Sequence, residues 1–144
     1  MMTTLSARTA DVAAWLATQP LDELPPLANI RISSDWAAVA KNVAAEVQLG
    51  AGSDLIALAK WAEHLGTTVT VHPRNGYLNA AIVVPIGDHK LVLWNHIEGR
   101  SRTVLEHRRG APITLGSVEI PPSVLWQAAR LLEETEDVYG EEWR

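Results

Sequence analysis

Between Thr67 and Ile97 the chain reads as three consecutive strands joined by two tight turns, and no other stretch restricts the fold so strongly. Val69 and Val71 alternate with Thr68, Thr70 and His72, the period of two that marks a half-buried strand. Pro73-Arg74-Asn75-Gly76 follows, and Asn-Gly is a strong hairpin signal because both residues tolerate positive φ. Tyr77 to Ile86 forms the second run, Gly87-Asp88 a second tight turn, and His89 to Ile97 the third. The expected fold class is α+β: an antiparallel meander of three to five strands in a two-layer arrangement with two or three helices.

The turns fix which side chains share a face. An even count at 73–76 and two residues at 87–88 put Val69, Val71, Leu78, Ala80, Ile82, Val84, Leu91, Leu93 and Ile97 together, with Asn95 as the one polar member. That face is the expected core. The other carries Thr68, Thr70, His72, Tyr77, Asn79, Ala81, Val83, Val92, Trp94 and His96. Asn79 is expected opposite His96, with Thr70 as its neighbour on the far side. A third residue in the second turn would move Trp94 and His96 into the core, because a one-residue slip exchanges faces.

Around the meander the period is helical. Residues 6–18 bring Val12, Trp15 and Leu16 to one face, and Pro20 ends that helix. Ile30 and Ile32 flank Arg31 in a brief strand. Ser33-Ser34-Asp35 resembles a helix cap, and Trp36, Val39, Val43 and Val47 in an alanine-rich run predict a helix, with a strand pair as the alternative. Ser53 is read as the cap of the clearest helix, through Leu55, Leu58, Trp61, Ala62 and Leu65, closed by Gly66. Thr103-Val104-Leu105 suggests a fourth strand and residues 113–120 a fifth. Pro121-Pro122-Ser123 opens the last helix, with Leu125, Ala128, Ala129 and Leu132 as its apolar stripe.

Composition narrows the chemistry. The 144 residues contain no cysteine, which excludes a disulfide scaffold, a cysteine-ligated zinc module and a thiol nucleophile. No apolar run approaches the ~20 residues of a membrane span and no secretory signal opens the chain, so a cytoplasmic protein without membrane contact is expected. The net charge of -5 is not spread evenly: residues 1–132 carry 11 basic and 11 acidic side chains, and residues 133–144 hold the whole excess. The organisation expected is a single domain over 1–132 and an acidic C-terminal tail over 133–144. The tail is either solvated or docks on a partner or on the arginines upstream, unless Glu133, Glu134 and Glu136 merely extend the last helix.

Catalytic patterns are missing. The five histidines lack an i, i+4 metal pair, and no His-Glu-x-x-His or Gly-x-Ser-x-Gly motif occurs. His89, next to a turn, is expected to be solvated. His72 and His96 on one face suit a structural role, with a metal or general-base role as the less favoured reading. Gly50-Ala51-Gly52 before a helix suits capping better than phosphate binding, since Asp54 would repel an anion. No cofactor and no metal ligand set is expected.

Two surfaces remain as binding candidates. His72, Tyr77, Asn79, Trp94 and His96 form the mixed sheet face, where aromatic residues suit a protein contact. Arg100, Arg102, Arg108 and Arg109 form a basic segment; on a strand, Arg100 and Arg102 would point one way, towards successive phosphates or as charged guards of a sheet edge. Six tryptophans without a phenylalanine are the other oddity, and Trp15, Trp36, Trp61 and Trp126 are expected as core anchors whose N–H groups need acceptors, with Trp94 and Trp143 as interface residues.

Leu24-Pro-Pro-Leu-Ala-Asn-Ile30, Trp61-Ala-Glu-His-Leu-Gly-Thr-Thr-Val-Thr-Val71 and the meander after them resemble small proteins of actinobacteria and their phages. The resemblance implies an actinobacterial or phage source and an association with a mobile element; it implies no activity. The expected function is a small non-enzymatic accessory or regulatory binding protein working through protein–protein contacts, plausibly as a homodimer. The alternative is a nucleic-acid-associated factor using Arg100 to Arg109, with the acidic tail as competitor. A small hydrolase or metal enzyme using His72 and His96 is the third.

Overall fold

The turns at Asn75-Gly76 and Gly87-Asp88 each contain two residues, with Gly76 at φ 88° and Gly87 at φ 54°, and they set the register of the whole sheet. In the computed structural model the described residues are 5–33, 41–50 and 54–139, with backbone alone for 136–139. The elements run α1 (Leu5–Ala17), β1 (Leu27–Ile32), β2 (Val43–Leu49), α2 (Leu55–Leu65), β3 (Val69–Arg74), β4 (Tyr77–Ile86), β5 (His89–Ile97), α3 (Gly99–Arg109), β6 (Val118–Ile120) and α4 (Pro122–Tyr139). The fold is α+β, with one sheet in the order β1-β2-β5-β4-β3-β6.

The meander β3-β4-β5 forms as its turns dictate. Val69, Val71, Leu78, Ala80, Ile82, Leu91, Leu93 and Ile97 are completely buried, and Thr70, His72, Tyr77, Asn79, Ala81, Val83, Val92, Trp94 and His96, which alternate with this face, are half-buried or exposed. α2 packs its Leu55, Leu58, Trp61 and Ala62 into this core. Its cap is Asp54, whose carboxylate accepts from the Ala57 N–H at 2.9 Å; Ser53 lies outside the described residues. Gly66 at φ 66° ends the helix, where the Thr67 N–H donates to the Ala62 carbonyl. Trp61 donates through Nε1 to the Pro25 carbonyl at 3.1 Å and stacks on Trp15, and Trp126 donates to Glu63 at 2.8 Å. Trp36 and Trp143 are outside the described residues.

Three expectations are corrected. The sheet has six strands and is mixed, not an antiparallel meander of three to five, and four helices accompany it among the described residues. Residues 43–49 are a strand rather than the end of a helix: Ala45, Val47 and Leu49 point into the core while Glu46 is exposed and Gln48 half-buried. Alanine's helix preference is worth under ~1 kcal/mol per residue, and it yields here to ladders on both edges, antiparallel with β1 and parallel with β5. Residues 34–40, the start of the expected helix, lie outside the described residues.

The remaining correction concerns residues 99–120. Ser101, Val104 and Leu105 are buried at helical spacing, so the expected strand at 103–105 is part of α3, ended by Gly110 at φ 91°. Only Val118–Ile120 pairs in the expected fifth strand, against β3. α4 continues past residue 132 to Tyr139, so residues 133–139 extend the last helix, as one reading of the tail allowed, and residues 140–144 are outside the described set.

The parallel β2–β5 pairing joins segments more than 40 residues apart, and polar groups lock it at both ends. At one end Asn42, at φ 58°, accepts the Lys90 N–H through its carbonyl and donates its amide to the Asp88 carbonyl at 2.7 Å. Beside it Arg8 of α1, 1% exposed, donates to the carbonyls of Ser33 at 2.6 Å and Val43 at 2.9 Å, tying the end of β1 to the start of β2. His89, expected in solvent, is buried, and its Nδ1 meets the Asp11 carboxylate at 2.8 Å. At the other end the buried Asn95 amide donates to the Leu49 carbonyl at 2.7 Å.

Arg8→Leu is expected to destabilise the domain by about 2–4 kcal/mol, because two half-buried carbonyls lose a charged donor that is itself buried. Urea denaturation followed by circular dichroism measures it. A loss below 0.5 kcal/mol, the range of an ordinary surface change, would show that the clamp is dispensable.

Candidate binding face

All four described helices contribute to the core on one side of the sheet, through Val12 of α1, Leu58 and Trp61 of α2, Leu105 of α3 and Leu125 of α4. On the other side the side chains of β2 to β5 are half-buried or exposed, with Val83 51% exposed. His72, Tyr77, Asn79, Trp94 and His96 stand together on that face. Asn79 is opposite His96, as the turn parity requires. Its other neighbour is His72 and not Thr70, because the first turn holds two residues; Thr70 is opposite Ala81. One row thus crosses three strands as His72, Asn79 and His96.

Aromatic rings lie along this row. Tyr77 and His96 have ring centroids 4.2 Å apart at 35°, and Trp94 and His96 lie 5.0 Å apart at 43°. The tilted contacts give a continuous ridge Tyr77–His96–Trp94 over β4 and β5, the Trp94–His96 pair at an ordinary aromatic spacing and the Tyr77–His96 pair slightly closer. Asn95, one residue along and facing the core, holds this part of β5 in place: its side-chain oxygen accepts the His96 N–H at 2.8 Å. Asn95 was the polar misfit of the core face, and its two hydrogen bonds explain why a buried amide is tolerated there.

Hydrogen bonding divides the face into two halves. Towards β6 the polar groups satisfy each other: His72 Nδ1 lies 3.0 Å from Ser117 Oγ, and Glu119 accepts from Thr68 and Thr70 at 2.5 and 2.8 Å. The two threonine hydroxyls hold the Glu119 carboxyl below its usual pKa. Towards β2 the side chains of Glu46, Asn79, Trp94 and His96 have no hydrogen bond or ion pair among the described residues. With Val92 they line one shallow depression of about 270 Å³. Glu46 and Val92 were not among the sequence candidates. The available signal was the alternation Ala45, Val47, Leu49 against Glu46, Gln48, which the alanine content masked.

His72 and His96 share a face but have Asn79 between them, roughly 10 Å apart across two strand spacings. Among the described residues no group of three or more His, Asp or Glu side chains is placed to hold a metal ion. No helix among them is long and apolar enough to cross a membrane.

The arginine segment is arranged differently from the expectation. Arg100 and Arg102 are on a helix, where residues two apart point in nearly opposite directions. The edges of the sheet are β1 and β6, so these arginines guard no strand edge. Arg100 donates to Thr135 Oγ1 at 3.0 Å and Arg108 to Gln127 at 2.9 Å, both on α4. Arg102 meets Glu106 at 3.4 Å and the Ile113 carbonyl at 3.2 Å; Arg109 donates to the carbonyls of Ala111 and Pro112. The four guanidinium groups fasten α3 to its surroundings and do not converge on a common point.

Comparison with protein-family models, with curated proteins and with solved structures finds no match for this chain.

Two measurements separate the structural polar groups from the open ones. Asn95→Leu is expected to cost about 1–3 kcal/mol by leaving the Leu49 carbonyl and the His96 N–H without partners, whereas Asn79→Leu should stay within ~0.5 kcal/mol in the same urea titration. The Glu119 contribution has a defined pH sign. Its folded pKa is lowered, so its stabilisation is present above the ordinary carboxylate range and is lost as pH falls through the lowered value. The urea midpoint of Glu119→Gln should therefore fall below wild type at pH 7 and converge with it in strong acid.

Proposed function

We propose that the protein is a small non-enzymatic accessory or regulatory protein that acts by binding another protein, with the open sheet face as its contact surface. The observation that carries this reading is the ridge of Tyr77, His96 and Trp94 at one end of the two central strands, on a face that the described helices leave open. Tyr and Trp are among the residue types that carry most of the binding energy at protein interfaces.

Size supports the same reading. Six strands ~4.8 Å apart, with central strands of 10 and 9 residues, make a face of roughly 25 by 30 Å, which suits the ~800 Å² per partner of a standard interface. The partner is a second copy of the chain or a different protein. The face is too polar at its margins, with Thr68, Glu46, Arg74 and Glu119 exposed, to resemble a split core.

The nucleic-acid reading has less support. It requires Arg100, Arg102, Arg108 and Arg109 to present charge together, with residues 133–144 competing for them, and each of the four is engaged within the domain.

The double variant Tyr77→Ala, Trp94→Ala should remain folded and lose at least tenfold in self-association or partner capture, the ~1.4 kcal/mol or more of an aromatic anchor. Light scattering across a concentration series and crosslinked capture from the host read the two cases. Binding that instead falls steeply with salt and with substitution of Arg100 and Arg108 would favour the nucleic-acid reading.

A further inference from the structure

We propose that the depression between β2, β4 and β5 receives a cationic side chain of the protein partner, an arginine in preference to a lysine. The inference rests on the reading of this face as a protein contact and names the chemistry at one point of it. Glu46 supplies the charge. It is exposed and forms no ion pair among the described residues, its direct neighbour in the β1–β2 ladder, Arg31, included. Glu46 is the one acidic residue among those that line the depression.

The rest of the lining fits a guanidinium group on an alkyl stem. Trp94 is half-buried and presents an indole ring, which attracts a cation over its face. The Asn79 amide offers a carbonyl acceptor beside it, with no hydrogen-bond partner to displace among the described residues. Val92 offers an apolar contact for methylene groups, the part of an arginine or lysine that packs on apolar surface. A planar guanidinium group can pair with the carboxylate through two parallel N–H donors while stacking on the ring, and an ammonium group can do only part of this. The volume of about 270 Å³ lies just under the usual range for whole-ligand pockets and leaves room for one inserted side chain with accompanying water.

The contrast with the β6 half of the face gives the argument its weight. Glu119 is also an exposed carboxylate on this face, but two threonines already occupy it. At Glu46 a carboxylate and an amide without hydrogen-bond or ion-pair partners among the described residues meet an aromatic ring.

The test is a titration of the full-length, ¹⁵N-labelled protein with N-acetyl-arginine amide, its lysine counterpart and the neutral isostere N-acetyl-citrulline amide. Saturable shifts of the Trp94 indole N–H, the Asn79 side-chain NH₂ and the Val92 amide are expected, with arginine tighter than lysine and citrulline not saturating. Glu46→Gln should weaken arginine binding at least fivefold, and Glu119→Gln should leave it unchanged. Equal binding of citrulline, no saturation with arginine, or wild-type affinity in Glu46→Gln overturns the proposal. Tyr77→Ala, outside the depression, keeps the two readings apart. If it weakens partner binding while the arginine probe fails to bind, the face stands and the cation site falls. If the probe binds as expected and Tyr77→Ala leaves partner binding intact, the cation site stands and the wider face falls.

Discussion

The parallel pairing of β2 with β5 is the constraint on which the rest of the structure depends. The other strand pairs are antiparallel, and the two hairpins of the meander are specified by turns next to them in sequence. β2 has no such turn. It enters the sheet beside a strand more than 40 residues away and carries β1 with it, so a third of the sheet is recruited through a single non-local ladder. Non-local pairing must overcome loop-closure entropy before it returns any contact energy. The polar groups at its two ends have a role in that balance. Arg8 and Asn42 fix where β2 begins, and Asn95 fixes where it stops.

These buried polar residues are more informative than the apolar core. A slip by two residues keeps the same face buried, so hydrophobic burial separates such registers weakly, whereas a hydrogen bond to one particular carbonyl allows a single one. Arg8 reaches Ser33 and Val43 only when α1 lies across the ends of both strands, and Asn95 reaches Leu49 only in one β2–β5 alignment. That alignment places Gln48 opposite Trp94 and Glu46 opposite Val92. The position of the Glu46 carboxylate next to the aromatic ridge is thus a consequence of a polar lock on the opposite face.

The meander was legible because its information is local: alternation, two glycine-containing turns and the parity they impose. That same parity placed His72, Tyr77, Asn79, Trp94 and His96 on one face and identified Asn95 as the exception. One detail escaped it, because two and four turn residues give the same parity but different neighbours for Asn79. What the sequence concealed was non-local or ambiguous in period. In residues 43–49 the valine spacing satisfied a helical template, and the partner that makes the segment a strand lies beyond any local window. Thr103-Val104-Leu105 shows the reverse error: strand-forming residues adopt a helix because Ser101, Val104 and Leu105 bury one helical face and Gly110 supplies its terminus. His89 failed for a third reason. Its position after a turn suggested solvent, and the helix that covers it is 78 residues earlier.

The distribution of charge then bears on the kind of contact the open face can make. The excess negative charge lies entirely in residues 133–144, and the body is balanced, so long-range steering towards the sheet face is weak and discrimination has to come from short-range groups. The face holds two sorts of such group. Its ridge of Tyr77, His96 and Trp94 provides area without much directional demand. Its open hydrogen-bonding groups, by contrast, favour a partner that satisfies them over one that merely covers them, since an unmet carboxylate or amide loses its water for nothing. A face of this composition stays soluble when unoccupied and gives up little on dissociation. On the proposed reading, that suits a partner held reversibly better than a permanent assembly, whose interface would be expected to resemble the Val, Leu and Ile surface on the opposite side of this same sheet.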